Sequence, residues 1–272
     1  MNILFIGDVF GRPGRDLVKR GLRALVDRYT ADLVVANVEN CAGGFGVTRE
    51  TGDALADCGI DVMTSGNHVW DKREVLDYIA AEPRLLRPAN YPPGAPGRGA
   101  LLARTADGQA VGVINLMGRV FMHPLDDPFA AALREIEAFA GRTRIIVVDF
   151  HAEATSEKVA MGWHLDGKVS AVIGTHTHVQ TADERVLPNG TAYITDAGMT
   201  GPHDSIIGTE CAPALARFLT GLPSRFEPAT GNPRLRGVVV EVDDQTGRAS
   251  SITRLDCSVA DLERMDAETR LE

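Results

Sequence analysis

A layered α/β fold is predicted by three features of the sequence. Short apolar runs alternate with amphipathic segments through most of the 272 residues, a pattern typical of strands joined by crossover helices. Apolar residues make up 44% of the chain, which is enough to bury a substantial core. Polar side chains that can bind metals follow the apolar runs instead of interrupting them. We predict one domain over residues 1–272, within which residues 70–110 could form a small cap or subdomain.

Each apolar run is predicted to be a strand, and each amphipathic segment a helix. In chain order the strands are NILFIG, LVVANV, DVMTSG, AVGVINL, RIIVVDF, SAVIGT, AYITDA, LRGVVVEV and ASSITRLD. Helices are expected near residues 14–29, 48–58, 71–81, 127–140, 153–164, 211–220 and 258–268. The segment RPANYPPGAPGRG, residues 87–99, is dense in Pro and Gly, so we expect a long surface connection there.

Composition and charge exclude several classes of protein. The net charge of −9 and the pI near 5.3 argue against a broad nucleic-acid surface, because such surfaces concentrate Lys and Arg. Four cysteines without a C-x-x-C pair indicate neither a disulfide framework nor a thiolate zinc site, and they suit a reducing cytoplasm. The opening MNILFIGD lacks a basic region and is interpreted as a strand, not a signal peptide. No apolar segment approaches the roughly 20 residues that span a bilayer, so we expect no membrane partner.

Metal-capable side chains fall at the ends of the predicted strands. The carboxyl ends of the strands in an α/β sheet share one edge, where active sites gather. Residues far apart in the sequence are therefore expected to meet at that edge. They are Asp8, Glu39, Asn40, Asn67, His68, His151, His176 and His178.

His176 and His178 lie two positions apart in GTHTH. On extended backbone their imidazoles project to the same side, about 6.5 Å apart along the chain. This separation is awkward for one ion, but it suits two neighbouring ions about 3.5–4 Å apart that each bind one imidazole. Such a pair needs a bridging carboxylate. Glu39 is the candidate because it follows a strand with no Lys or Arg beside it.

The donor set as a whole indicates a metal site of nitrogen and oxygen ligands. Two carboxylates, two carboxamides and three or four imidazoles, with no thiolate, suit manganese, iron or zinc. Each residue alone has a structural alternative: a hydrogen-bonded histidine, a turn cap at Asp8, or a left-handed turn at Asn40 or Asn67. The joint pattern favours ligands, although for Asn40 both interpretations stay open.

Other reactive groups are interpreted as peripheral. GDVFGRPGR follows a strand, but its glycine spacing fits no phosphate-binding loop. Arg12 and Arg15 are candidates for facing an anionic substrate, and Cys41 lacks a paired base, so it is interpreted as a bystander thiol. The remaining histidines are expected at the surface or in a pocket lining (His123, His203) or in a structural role (His164).

In its strand-end blocks the sequence resembles the calcineurin-like metallophosphoesterases. The corresponding blocks here are GD, NVEN, SGNH, DFH and GTHTH. The similarity is closer to the YmdB-type subgroup of bacterial 2',3'-cyclic nucleotide phosphodiesterases. It extends through GDVFGRPGR, NVENCAGGFGVT, SGNHVWDKRE, DFHAEATSEK, GTHTHVQTAD and DAGMTGPHDSIIG, which cover most of residues 1–210.

The resemblance implies a sandwich of two β-sheets flanked by helices, with two metal ions at the carboxyl ends of the strands. The ions would be iron or manganese, with magnesium or zinc as alternatives. The ligands would be Asp8, Glu39, Asn40 and His178 for the first ion, and Glu39, Asn67, His151 and His176 for the second. Two departures from the superfamily pattern are shared with the subgroup. Phe10 stands where a histidine is usual, and the bridging acid is Glu39 in place of Asp, with Asn40 implied as the compensating ligand.

The resemblance also implies an activity. A metal-dependent phosphoric diester hydrolase would open 2',3'-cyclic nucleotides at the bond to the 2'-oxygen and give 3'-nucleotides, with His68 as proton donor. In the alternative role, His68 would only orient the phosphate. Two other interpretations stay open: a metal-dependent phosphomonoesterase, and a regulatory protein that binds a cyclic nucleotide or an RNA end. The expected partners are a small cyclic nucleotide or phosphodiester substrate and, by resemblance, other copies of the chain in a homo-oligomer.

Overall fold

The computed structural model describes residues 1–269, which contain seven helices and two β-sheets. The strands are β1 (Asn2–Ile6), β2 (Asp8–Val9), β3 (Leu33–Asn37), β4 (Val62–Thr64), β5 (Ala100–Arg104), β6 (Ala110–Met117), β7 (Ile146–His151), β8 (Ala171–Thr175), β9 (Arg185–Val186), β10 (Ala192–Ile194), β11 (Met199–Pro202), β12 (Pro233–Val242) and β13 (Ala249–Ser258). The helices are α1 (Gly11–Tyr29), α2 (Arg49–Asp57), α3 (Val75–Ala81), α4 (Pro128–Ala138), α5 (Thr155–Leu165), α6 (Cys211–Thr220) and α7 (Val259–Thr269). None of these helices combines the length and apolar composition that a bilayer crossing requires.

The nine predicted strands and seven predicted helices are all confirmed, with ends that differ by a few residues. The sequence did not predict β2, β5, β9 and β11. Strands β2 and β9 have two residues each, which is too short for an apolar signal. Strand β5 directly follows the Pro- and Gly-rich segment, and β11, MTGP, itself contains glycine and proline, which are uncommon in strands. Helix α1 also begins earlier than expected, because Pro13 lies in its first turn, where proline is tolerated.

Alternation along the strands divides the apolar core into three layers. Phe5 of β1 and Val147 of β7 belong to one cluster that lies between the two sheets. Leu4 belongs to a second cluster, which packs the first sheet against α1, α2, α3 and α7. Val148 belongs to a third, which packs the second sheet against α4 and α5. Successive side chains point to opposite faces of a strand, so each sheet is buried on both faces and the fold is a sandwich of two sheets flanked by helices.

Parallel pairing brings several strand ends to one edge of each sheet. The first sheet has the order β2-β11-β12-β1-β3-β4 with β13 paired to β12, and its strands β1, β3 and β4 are parallel. The second has the order β5-β6-β7-β8-β10-β9, with β6, β7, β8 and β10 parallel. Asp149 of β7 accepts hydrogen bonds from Asn37 Nδ2 (3.0 Å) and from Thr64, the last residues of β3 and β4. This buried contact joins the two sheets at the edge where their parallel strands end.

The Pro- and Gly-rich segment is not a surface connection along its whole length. Residues 87–90 are buried. Asn90 Nδ2 donates to the Met117 carbonyl (2.8 Å), and Asn90 Oδ1 accepts from the Met117 amide (3.0 Å). The surface prediction is therefore wrong at this end, because a carboxamide satisfies backbone groups that would otherwise need a strand. Residues 70–110 supply α3 and β5, and their role as a cap stays a prediction.

Candidate functional site

The predicted ligands meet where the parallel strands of both sheets end. Asp8 follows β1, Glu39 and Asn40 follow β3, Asn67 follows β4, His151 closes β7, and His176 and His178 follow β8. The hydrogen bonds of Asp149 hold these two edges together. The fold therefore gathers side chains that are up to 170 positions apart in the chain, from Asp8 to His178.

His151 Nε2 is the centre of a group of convergent donor atoms. It lies 3.1 Å from Glu39 Oε1, 3.0 Å from Asn67 Oδ1 and 3.0 Å from His176 Nδ1. Adjacent ligands of an octahedral ion with bonds of roughly 2.1 Å are about 3.0 Å apart, so these separations fit a shared ion. Glu39, His151 and His176 each offer one ligand atom, and these atoms lie within 4.8 Å of one another.

Asp8, Asn40 and His178 form the neighbouring part of the cluster. Asp8 Oδ1 and Asn40 Oδ1 are buried acceptors with no hydrogen-bond partner among the described residues. His178 Nδ1 donates to the Ile207 carbonyl (2.8 Å), and its Nε2 lies 4.0 Å from Asp8 Oδ1. Buried acceptors are normally paired, so two unpartnered oxygens, of which Asp8 Oδ1 lies beside an imidazole nitrogen, fit a bound cation.

The alternative roles of Asp8 as a helix cap and of Asn40 and Asn67 in left-handed turns are not observed. Asp8 does not cap α1, whose N-cap residue is Phe10. Neither asparagine has a positive φ, so neither occupies a left-handed turn. Asn40 Nδ2 donates to the Gly44 carbonyl (2.9 Å), which leaves its Oδ1 free of hydrogen bonds. The oxygens of all three side chains are therefore available as ligands.

Neighbouring residues fix the orientation of the His151 ring. Its Nδ1 donates to Thr175 Oγ1 (2.9 Å), and Thr175 Oγ1 donates to Asp149 Oδ1 (2.7 Å). With the proton on Nδ1, the lone pair of Nε2 can face an ion. Gly66 passes so close to this ring that a Cβ there would overlap the imidazole. The turn before Asn67 therefore requires glycine.

Buried charges shift the pKa values within the cluster in opposite directions. Burial lowers the pKa of His151, but the carboxylates of Glu39 and Asp8 outweigh it and raise the pKa to about 9. Burial raises the pKa of Glu39, yet the interactions with His151 dominate and hold it at about 2. Burial and the His151 charge lower the pKa of His176 to about 3. The cluster therefore favours a positive charge between its carboxylate and imidazole groups, which is the environment that a metal ion needs.

The backbone after β8 is not extended, so the spacing argument for the two histidines was wrong. His176 and His178 have φ values of 101° and 64°, which non-glycine residues seldom adopt. Asp196 Oδ2 holds this turn by accepting hydrogen bonds from the Thr177 amide (3.1 Å) and hydroxyl (2.8 Å) and from Lys158 Nζ (2.6 Å). The separation of the two imidazoles is thus set by a strained turn that a buried ion pair supports.

His68 lies beside the same cluster. Its backbone amide donates to Glu39 Oε2 (3.1 Å), and its Nδ1 lies 2.8 Å from Asp71 Oδ2. The Phe45 ring contacts the His68 ring edge to face, with centroids 5.0 Å apart. Asp71 orients the imidazole and can stabilise a positive charge on it, as a carboxylate does in other histidine–aspartate pairs.

Sequence reasoning missed the residues that support the predicted ligands. Asp71 lies three positions after His68, and this spacing could have indicated the pair. Asp149 is a carboxylate inside an apolar strand, which is also a visible signal. Asp196 also ends an apolar run, but its pairing with Lys158 was not visible, because that pairing depends on how α5 packs against the turn after β8.

The structure also places three further sets of residues that the sequence analysis singled out: the two arginines, Cys41 and His123. Arg12 and Arg15 line a separate cavity of about 480 Å³, so the structure does not bring them to the ligands. Cys41 is buried, and burial raises its pKa to about 11, which agrees with a bystander thiol. His123 lines a smaller cavity of about 330 Å³ together with Asn67 and His176, as the pocket-lining interpretation expected.

Comparisons with known proteins cover nearly the whole chain. The family described as YmdB-like protein matches residues 4–255. A 2',3'-cyclic-nucleotide 2'-phosphodiesterase of Bacillus subtilis (strain 168) is 53% identical over 255 residues, which are 94% of this chain and 96% of that protein. A crystal structure of a hypothetical protein from Thermus thermophilus has a TM-score of 0.89 and 45% identity, and the match covers 95% of this chain and 99% of the other. A crystal structure of a novel phosphatase from Mycoplasma pneumoniae has a TM-score of 0.88 and 34% identity, with coverage of 95% and 93%.

Proposed function

The chain belongs to the family of YmdB-like proteins and is a phosphoric ester hydrolase, and on this basis we propose that it hydrolyses 2',3'-cyclic nucleotides. The bond between phosphorus and the 2'-oxygen would break, water would supply the new oxygen on phosphorus, and a 3'-nucleotide would result. The observation that carries this proposal is the convergence of Glu39, Asn67 and His176 on His151. The 53% identity to a 2',3'-cyclic-nucleotide 2'-phosphodiesterase supports the choice of substrate.

We propose that the cluster holds two metal ions, iron or manganese in the first place, with magnesium or zinc as alternatives. Asp8, Glu39, Asn40 and His178 would bind one ion, and Glu39, Asn67, His151 and His176 the other. When bound, the ions supply Lewis-acid chemistry, which activates water and offsets the charge on the phosphoryl oxygens. The unpartnered oxygens of Asp8 and Asn40 support this ligand set.

The chain itself supplies the proton for the leaving oxygen in this proposal. His68 adjoins Glu39 through its backbone amide, and Asp71 holds its Nδ1. A protonated ring would give the Nε2 proton to the departing 2'-oxygen, and the Asp71 carboxylate would stabilise the charged ring before the transfer. The alternative, in which His68 only orients the phosphate, predicts a smaller loss of turnover when the ring is removed.

The proposal is tested by hydrolysis of 2',3'-cyclic AMP, 5'-AMP and nitrophenyl phosphates, each with added Mn²⁺, Fe²⁺, Mg²⁺ or Zn²⁺. We expect 2',3'-cyclic AMP to be the best substrate and 3'-AMP to be the product, identified by chromatography. Hydrolysis of the monoesters alone would support the phosphomonoesterase. Tight binding of 2',3'-cyclic AMP without turnover would support the regulatory binding protein.

Location and assembly are further proposals. We propose a cytoplasmic enzyme, because the four cysteines are free thiols without paired spacing. We also propose a homo-oligomer, which light scattering at several protein concentrations would test. A single monomeric mass at every concentration would contradict it.

A further inference from the structure

The cavity beside the ligand cluster has two unlike walls. It has a volume of about 630 Å³, within the range of small-molecule sites. One part of the wall is polar and includes Glu39, His68 and His178. The rest, the apolar wall, includes Phe45 from the loop after β3, Ile207 from the loop after β11, Phe218 from α6, and Phe226 from the segment that follows α6.

The apolar wall contributes little to the core. Phe218 is 80% exposed and Ile207 is 56% exposed, and Ala214 is the buried residue of α6. Phe45 and Phe226 are half-buried. Apolar side chains that line a cavity without being packed into the core are typical of a ligand-binding surface.

Aromatic rings in the cavity wall include one beside the proposed proton donor. The Phe45 ring lies 5.0 Å from the ring of His68, which is the proposed proton donor. In the lining of the same cavity, the guanidinium of Arg217 lies over the Phe226 ring at 5.3 Å. Phenyl rings and guanidinium planes are the groups on which nucleobases stack. A ligand whose phosphate lies at the cluster would therefore have its base in the same cavity as these groups.

We propose that Phe45, Phe226 and Arg217 form a nucleobase subsite, on which the base of the cyclic nucleotide stacks while its phosphate lies at the ligand cluster. This inference rests on the proposed function and goes further, because it assigns binding of the base to particular residues. Stacking uses the π-face that every base has, so the subsite accepts purines and pyrimidines alike. We expect kcat/KM for the four 2',3'-cyclic nucleotides to differ by less than about tenfold, because stacking alone separates the bases weakly.

The test compares a substrate that has a base with one that has none. kcat/KM is measured for 2',3'-cyclic AMP and for glycerol 1,2-cyclic phosphate, which keeps the five-membered cyclic diester but lacks base and ribose. The variants are Phe45→Leu and Phe226→Leu, which keep apolar bulk but remove the ring, and Phe45→Trp, which keeps a ring. The control is Leu219→Ala, which removes an exposed apolar side chain of α6 (77% exposed) that does not line the cavity.

We expect both leucine variants to lose roughly 5- to 100-fold in kcat/KM on 2',3'-cyclic AMP, mainly through KM, which is the scale of one lost stacking contact. Phe226→Leu should hydrolyse glycerol 1,2-cyclic phosphate as the unaltered enzyme does, Phe45→Trp should retain the nucleotide rate, and Leu219→Ala should change the rate on neither substrate. Equal losses of Phe226→Leu on both substrates, or no loss on either, would overturn the subsite. If the unaltered enzyme hydrolyses neither cyclic diester, the proposed function itself fails. If it hydrolyses both equally well, only the subsite fails.

Discussion

The two sheets supply different types of side chain to the same cleft. The first sheet supplies the acid and amide groups, namely Asp8, Glu39, Asn40 and Asn67, and the second supplies the imidazoles of His151, His176 and His178. Neither sheet alone offers the mixed set of donors that manganese or iron prefers. The candidate site thus exists only where the sandwich is closed. Metal binding is therefore expected to depend on the packing of the sheets and to reinforce it.

The largest loss of turnover is expected when the carboxylate proposed to bridge the two ions is removed. Glu39→Ala deletes the carboxylate that contacts both His151 Nε2 and the His68 amide, and with it the group that raises the pKa of His151 most. We expect near-complete loss of turnover and loss of both ions, measured by elemental analysis. Glu50→Ala, which removes an exposed acid from α2, should behave as the unaltered protein. Two ions retained in Glu39→Ala would contradict the bridging role.

Removal of the proposed proton donor should lower turnover without lowering the metal content. His68→Ala is expected to lower kcat about 10²–10⁴-fold, the usual scale of general acid catalysis, while the metal content stays unchanged. Asp71→Asn should act in the same direction with a smaller effect, because it weakens the orientation of the ring without removing it. A His68→Ala enzyme with normal turnover would remove the residue from the mechanism.

A third change removes a hydrogen bond that orients one imidazole and leaves the carboxylates unaltered. Thr175→Val keeps the shape of the side chain but removes the oxygen that accepts from His151 Nδ1. We expect metal affinity or activity to fall about 10- to 100-fold, as for other residues that orient metal ligands. Titration with Mn²⁺ during turnover measures the effect. Thr143→Val, which alters a half-buried threonine shortly before β7, serves as the matched control, and an equal loss there would make the effect non-specific.

Metal removal should lower stability because the ligands span both sheets. An ion present at 100 times its Kd stabilises a protein by about 2.7 kcal/mol. For a domain of this size, that free energy corresponds to a fall in Tm of roughly 5–10 °C when the metal is removed. Differential scanning calorimetry with Mn²⁺ and with excess EDTA measures the difference. An unchanged Tm would show that the ions do not couple the sheets.

The smallest effect is expected at Cys41, which lies next to Asn40 in the sequence. Its pKa of about 11 keeps it almost entirely protonated at pH 8, so its thiolate is scarce as well as buried. Iodoacetamide at pH 8 should modify the exposed Cys211 and spare Cys41, with activity retained. Mass spectrometry of peptides locates the label. Rapid labelling of Cys41 in active enzyme would show that the loop after β3 opens.

The sequence predicted the secondary-structure elements and the convergence of the strand-end side chains better than it predicted the surroundings of those side chains. A polar residue at the end of an apolar run, such as Asp8 or His151, is visible without coordinates, because strand ends of one sheet share an edge. The turn at His176 and His178 was not predictable, since its positive φ values are maintained by Asp196, which is distant in the sequence. The burial of Asn90 was hidden for a similar reason: composition does not reveal which backbone groups a carboxamide satisfies.

Contact between Gly66 and the His151 ring also limits what sequence change the protein tolerates. Even a methyl group at position 66 would displace the imidazole. In a deep mutational scan selected for hydrolysis, position 66 should therefore return glycine alone. A glycine directly before a strand-end asparagine would therefore identify this site in a chain that has diverged beyond easy alignment.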